Sequence, residues 1–401
     1  MTVLATNIQK RRVVTLNNIV ALIFALRAIT FVWLAFASNE YMPWLASCVL
    51  LIRYATIPIG IFYVMVKQRY TNYNNLMLLI PLIIYYFMLV FNTYGGYKGS
   101  YIHELITIGC FLLMDREEKI RVFRLFYKII LIANLIAIFV YLVYIANLPI
   151  GFSTVPFFND GVQTSYYKRF LIFAVMDSGY SMPRLCGIFN EPGGLGTVCG
   201  LLFAATFDYS HKWEKAVLIV STILSLSLAG CILILTYLVF YYGKKDWRYS
   251  IIVVALIVFL IAIPYIDWGN VGINAFAQRF AFTSEGFAGD NRIKSGYNQE
   301  FSELLRGSEA FLGKGYGYTV ESGTSSYKNF IMQFGIVGFG VFFIAWLIAA
   351  IKSSNRNSNC IVLLSIFLIS LYQRPVTLTN SYGYVLIFGG FAWLQYMKEQ
   401  K

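Results

Sequence analysis

The chain has 401 residues, 58% of them apolar and only 13% charged, with a mean hydropathy of +0.65. A soluble domain holds roughly 45–50% apolar and about 25% charged residues, so this surplus exceeds what a water-soluble core can bury and fits a chain whose outer surface is lipid. The formal net charge of +13 does not indicate nucleic acid, because the basic residues sit between apolar segments, where topology signals lie.

The first 16 residues are polar and basic, with Lys10, Arg11 and Arg12, and no small-residue cleavage site follows. The first apolar stretch therefore reads as a retained helix rather than a removed signal. Apolar segments lie at roughly 17–37, 43–66, 75–93, 100–114, 122–146, 192–208, 216–227, 229–242, 249–266, 326–350, 359–372 and 381–397, about twelve in all. Segments of this kind read as transmembrane helices, since hydrocarbon offers no partner to a free backbone group. The period-2 pattern of an outer-membrane barrel is not seen. The expected fold is all-α, a single polytopic membrane domain with about 12 spans.

The run from Ala216 to Tyr242 is long enough for one tilted helix. The charges argue for two. Lys212 and Lys215 precede the run and Lys244, Lys245 and Arg248 follow it. Splitting it at Ser225-Leu226-Ser227-Leu228-Ala229-Gly230, where serine and glycine suit a turn, puts both basic loops on one side. Two such short helices suit a cavity lining. With the split, Lys10/Arg11/Arg12, Lys67/Arg69, Arg116/Lys119/Arg121/Arg124, Lys352/Arg356 and Lys398/Lys401 share the cytoplasmic face, and both termini are cytoplasmic. The short outer loops carry only Lys98 and Arg374. Two long segments, 147–191 and 267–325, lie outside, and loops of that length are uncommon unless functional or disordered. The aromatic-rich stretch Tyr166 to Met176 is expected to lie along the membrane surface as a helix. Ile293, Tyr297, Phe301, Leu304 and Leu305 recur at helical spacing, which predicts an amphipathic helix from about Asp290 to Phe311 with Gly313 just past its end.

Three segments carry candidate chemistry. The first runs from Arg184 through Glu191-Pro192-Gly193-Gly194 to Gly196. Pro192 suits a first helical turn, which puts Glu191 at a helix start. The free N–H groups of that start favour an anion, and the fork of Arg184 suits phosphate. Gly196 and Gly200 form a small-residue packing face. The plainer reading is a capped helix with a loop arginine. The second segment holds Arg292, Arg306 and Gly313-Lys-Gly-Tyr316-Gly-Tyr318; taken alone it reads as a solvated helix face and a glycine loop. The third runs from Ser322 to Lys328-Asn329 into an apolar run with Gly335 and Gly338, where a snorkelling lysine is the plain alternative. Within the spans, Arg27, Arg53 and the pair His103-Glu104 are ionisable, and charge at membrane depth usually faces a polar cavity or a partner. Arg53 is a functional candidate, with Glu104 as a possible partner. His103 reads as a boundary residue. The cysteines, five of six in apolar segments, read as packing residues. Neither a metal cluster nor a nucleotide-binding loop is expected.

At these segments the chain resembles the O-antigen polymerase family, within the wider group of O-antigen polymerases and ligases. The resemblance rests on Arg184 through Glu191-Pro192 leading into a glycine-rich helix, on the Ser/Gly stretch Leu224 to Gly230, on an outer loop with Arg292 and glycines near Tyr316, and on Ser325 to Asn329 before a glycine-containing helix. Arg306 and Gly317, with ten residues between them, match a spacing of such loops. In layout the resemblance covers most of the chain, in motif roughly 60 residues. The ligase relatives have a histidine before the asparagine of the last motif; Lys328 stands there, which favours a polymerase.

The resemblance implies a metal-independent glycosyltransferase of the bacterial inner membrane that needs no cofactor. Its substrates would be undecaprenyl-pyrophosphate-linked oligosaccharides, and a chain-length regulator protein would be a partner. A growing glycan would move en bloc onto the next lipid-linked repeat, with lipid pyrophosphate leaving. Arg184 and Arg292 would stabilise the leaving pyrophosphate, helped by Arg306 and Lys328. Glu191 would act as base or orienting acceptor. Asn329, Arg53 and Tyr316 join the substrate-binding candidates, and Tyr166, Tyr167, Trp268 and Tyr297 are candidate sugar platforms. A ligase using a lipid A core acceptor is the nearest alternative. A lipid-linked oligosaccharide flippase is the non-enzyme alternative; it should show a pseudo-repeat between two halves, and none is evident.

Overall fold

The structure is a computed structural model that describes residues 2–30, 42–67, 76–92, 94, 101–159, 162–177, 182–243, 247–283, 286–287, 296–318, 327–372 and 374–400. Helices come first among the described residues: α1 (Thr2–Thr30), α2 (Pro43–Lys67), α3 (Ile80–Phe91), α4 (Ile102–Leu113) and α5 (Arg116–Ile145). A four-stranded meander follows, β1 (Ser153–Asn159), β2 (Val162–Phe170), β3 (Phe173–Asp177) and β4 (Arg184–Gly187). Next are α6 (Pro192–Thr206), α7 (Lys212–Leu224), α8 (Leu228–Gly243), α9 (Trp247–Ala262) and α10 (Val271–Ala277), then the ribbon β5 (Phe282–Thr283) and β6 (Gly286–Phe287). The last are α11 (Tyr297–Arg306), α12 (Glu309–Leu312), α13 (Tyr327–Ser353), α14 (Ser358–Leu371), α15 (Ser381–Tyr384) and α16 (Gly390–Glu399), with a π-helical turn at Val385–Gly389 joining the last two. Three segments, Pro43–Val66, Arg116–Ile145 and Tyr327–Ser353, are long and apolar enough to cross a membrane.

The chain is mostly helical, but the all-α expectation is corrected by the meander. Tyr166 to Met176 forms strands, not a surface helix. β2 and β3 pair from Tyr166 opposite Asp177 to Phe170 opposite Phe173, around a two-residue turn at Leu171-Ile172. Aromatic and β-branched side chains suit a pleated surface, and burial alternates along β2, with Ser165 and Tyr167 buried and Tyr166 exposed. Leu171 takes a positive φ of 52°, a left-handed position that leucine does not advertise. The start of α2 covers one face of the sheet, where Met42 and Leu45 pack on Val155, Tyr167, Ala174 and Cys186.

α6 is the central helix. Almost every side is buried, from Leu195 to Thr206, as a helix enclosed by others requires. The expected break in the 216–242 run is present: α7 stops at Leu224 and α8 starts at Leu228, with Leu226 at a φ of 48° in the turn. The reason is visible in α6. A Cβ on Gly196 would lie 2.3 Å from Ser227 Cβ, one on Gly230 would lie 2.6 Å from Gly196 O, and one on Gly200 would lie 2.9 Å from Leu233 Cβ. The two helices touch backbone to backbone, in the small-residue packing expected of Gly196 and Gly200.

α13 is broken. Gly335 has a φ of 69° and a ψ of 175° inside it, so it is two helical pieces. The loop after α12 fills the break. Lys314 N donates to Met332 O at 2.8 Å and Gly315 N to Gln333 O at 2.9 Å, which satisfies carbonyls that the break releases. Tyr316 N then donates to Asn92 O at 2.7 Å, and Tyr94 N to Tyr316 O at 2.8 Å.

The amphipathic helix ends sooner than expected. It ends at Arg306, breaks at Gly307-Ser308 and resumes as α12, with Gly313 just beyond. Tyr297 and Leu304 are buried against Met332, Phe301 packs beside them, and Leu305 is exposed; Ile293 lies outside the described residues.

The helices sort the polar groups to two ends. At one end Arg116 pairs with Glu399 at 2.8 Å, Arg124 lies over Trp393, and Gln395 donates to Ser353 O. At the other lie Arg27, Glu104, Arg184, Glu191, Arg374 and the sheet, joined by the contacts described next.

Candidate functional site

Glu191 is the N-cap of α6, with Pro192 at its first position, and its carbonyl accepts from Gly194 N at 3.1 Å and Leu195 N at 3.3 Å. β4 and the turn Ile188-Phe189-Asn190 deliver the chain to that point. Its carboxylate is not spent on a capping bond. Glu191 Oε1 instead accepts from Arg374 Nη1 at 2.5 Å. Arg374 sits just past α14 in the bend before a 3-10 turn at Pro375–Leu378, and its carbonyl takes both the N–H and hydroxyl of Thr377. Its side chain is 10% exposed and that of Glu191 36%. Arg374 Nε and Nη2 are buried and have no partner among the described residues. A carboxylate, a helix N-terminus and a guanidinium with two open donors thus meet at one point.

Arg184 belongs to the same neighbourhood but does other work. Its Nε donates to Ser225 O at 3.1 Å and its Nη2 to Leu226 O at 3.3 Å. It caps the end of α7, where carbonyls lack helical partners, which gives it a positioning role. The Tyr167 hydroxyl donates to Asn190 O. Burial, with Cys186 and Glu191 nearby, pushes that phenol above its ordinary range, so it stays a donor that holds the turn before Glu191.

The other expected site residues are dispersed. Arg292 lies outside the described residues, as does Ser325. Arg306 ends α11 on the surface. Lys328 Nζ donates to Asn298 Oδ1 at 2.7 Å and lies 5.3 Å over the Phe301 ring, so it ties α11 to α13. Asn329 is half-buried on the first turn of α13. Tyr316 stacks on Phe334 and meets Tyr101 edge-on at 4.9 Å. It is a packing residue, as are buried Tyr167 and Tyr297, whereas Tyr166 and Trp268 stay exposed. Glu104 pairs with Arg27, not with Arg53.

Arg374 is the residue that sequence reasoning missed. Its signal was present. A lone arginine in a short outer loop runs against the rule that places basic residues inside, and such an exception points to a fixed partner. Neither a protein-family model nor a curated protein nor a solved structure matches the chain.

Proposed function

We propose that the chain is a polysaccharide polymerase of the O-antigen type, a multi-pass protein of about twelve spans in the bacterial inner membrane, with the Glu191–Arg374 end facing outward. It joins oligosaccharide repeats carried on undecaprenyl pyrophosphate. The observation that carries this reading is the ion pair of Glu191 and Arg374 at the start of α6, with two guanidinium nitrogens left open. A pyrophosphate leaving group needs preorganised cationic donors, and an attacking sugar hydroxyl needs an acceptor for its proton. Both are within one residue pair.

In the step proposed, the hydroxyl oxygen of the acceptor sugar bonds to the anomeric carbon of the donor glycan. The bond from that carbon to the pyrophosphate oxygen breaks, and its electron pair leaves with the phosphate. Glu191 takes the hydroxyl proton, and Arg374 with the α6 N–H groups receives the growing negative charge. Arg184 and Tyr167 hold this geometry from below. A chain-length regulator would act on the finished polymer from outside this pair.

Deletion of the gene tests the reading on a gel of surface glycolipid. A single repeat on the carrier is the expected outcome, with a full ladder restored by the intact chain and not by Glu191→Gln. Complete loss of surface glycan would support a flippase, and long chains stranded on the lipid carrier would support a ligase.

A further inference from the structure

A second group of charges lies at the same end of the bundle, between α1, α2 and α4. Arg27, 4% exposed, pairs with Glu104. The other oxygen of Glu104 accepts from the backbone N–H of Ser381 at 2.5 Å. Arg27 Nε and Nη1 are buried and unpartnered among the described residues. Arg53 lies close enough for its charge to act on Arg27, and its Nε is likewise buried without a partner. So is Nδ1 of His103, whose ring meets Tyr54 edge-on at 5.4 Å.

The Glu104 carboxylate therefore pairs with one guanidinium group, and the charge of a second acts on that same group. An uncompensated charge at this depth is strongly unfavourable, and two like charges side by side add to that. An anion is what the arrangement lacks. The open donors are those of planar forks, which match phosphate oxygens, and His103 adds another when Nδ1 carries the proton. The surroundings select the source. Arg53 is half-buried on α2, and its neighbours Leu50, Leu51 and Tyr54 are exposed apolar side chains. A phosphate between the arginines can trail an apolar tail along that flank.

We propose that Arg27, Arg53 and His103 form a second phosphate site, distinct from Glu191–Arg374, that takes the pyrophosphate of another isoprenoid-linked molecule. Naming that molecule as the second lipid-linked substrate rests on the polymerase reading, since a transfer between two carried glycans needs two carriers at once. The chain supplies the link. Ser381, which holds Glu104, is seven residues after Arg374, which holds Glu191, so one short segment braces both sites.

Counting bound isoprenoid pyrophosphate by native mass spectrometry, on the full-length protein in nanodiscs of defined phospholipid, tests this. The intact chain is expected to hold two molecules, Arg53→Gln one and Arg374→Gln one. Because Arg27→Gln alone strands Glu104, the paired variant Arg27→Gln/Glu104→Gln is the control that keeps the hydrogen bond, and it is expected to hold one. A single molecule on the intact chain, or two on both Arg53→Gln and the paired variant, overturns the second site. Inorganic pyrophosphate should bind that site at least about tenfold more weakly, having no tail to bury; equal binding overturns the lipid assignment. A chain that holds two molecules yet never extends a glycan keeps the site and removes the polymerase reading.

Discussion

The Glu191–Arg374 pair is half in and half out of solvent. Breaking one side of a fully buried pair costs about 3–5 kcal/mol. Solvent around Glu191 screens part of this, so Arg374→Gln is expected to destabilise the protein by only about 1–2 kcal/mol. Its effect on chain extension should be far larger, because an electrostatic donor to a leaving group is worth roughly a hundredfold or more in rate. Thermal unfolding alongside a product gel separates the two. Equal, modest losses in both would make the pair structural. A second residue-scale test concerns pH. Lys314 Nζ lies 3.1 Å from both Glu300 Oε1 and the Tyr318 hydroxyl. The hydrogen bond to Tyr318, followed by the Glu300 carboxylate, holds the ammonium above its ordinary range against the pull of burial. A raised value in the folded state gives a contribution that is complete below the unfolded lysine pKa and lost as pH climbs through the folded one. Cleavage of the 296–318 loop by a protease should thus be steady at neutral pH and rise only at strongly alkaline pH. In Lys314→Met it should be raised at neutral pH as well. A Lys314→Met loop as resistant as the intact one would show the network to be idle.

Helix contacts explain which elements could be read from the sequence. The break between α7 and α8 was legible, because serines, a glycine and flanking charges all marked it. The break in α13 was not, because Gly335 sits in a continuous apolar run and its reason, the loop at Gly313, is some twenty residues upstream. The sheet was hidden differently. Aromatic residues between two apolar helices suit an interfacial helix as well as a strand, and the hairpin turns on Leu171, not on Asn or Gly. These close approaches give sharp tests. A Cβ at Gly230 would press on the Gly196 carbonyl at 2.6 Å, so Gly230→Ala is expected to lower stability by about 1–3 kcal/mol, the usual range for overpacking. Gly335→Ala adds a left-handed backbone, about 1–2 kcal/mol, to a Cβ that would lie 2.1 Å from Phe311 O, so it should fall by more. Unfolding midpoints of the purified variants decide, and a Gly335→Ala midpoint matching the intact chain would contradict the threaded loop.

At the scale of the molecule, hydropathy was enough to mark three helices long and apolar enough to cross a membrane. Among the described residues, Arg116 and Arg124 lie at the Arg116–Glu399 end, and the candidate site gathers at the other. What the sequence could not supply was partnership across distance: Arg374 with Glu191, Arg27 with Glu104, Arg184 with the carbonyls of the α7 end. Those depend on helix packing, to which residue type gives no index. The proposed orientation is open to labelling. Leu171 and Trp213 are exposed at opposite ends. A membrane-impermeant maleimide should reach Leu171→Cys in intact spheroplasts and Trp213→Cys only after permeabilisation; the reverse pattern would invert the topology.

The most direct measurement is reconstitution. The purified protein in liposomes is supplied with an undecaprenyl-pyrophosphate-linked repeat and no nucleotide sugar. The intact chain should build a ladder of longer lipid-linked glycans, and Glu191→Gln and Arg374→Gln, though folded, should leave the single repeat untouched. A ladder of normal length from either variant would contradict the assignment of that pair to the glycosyl transfer.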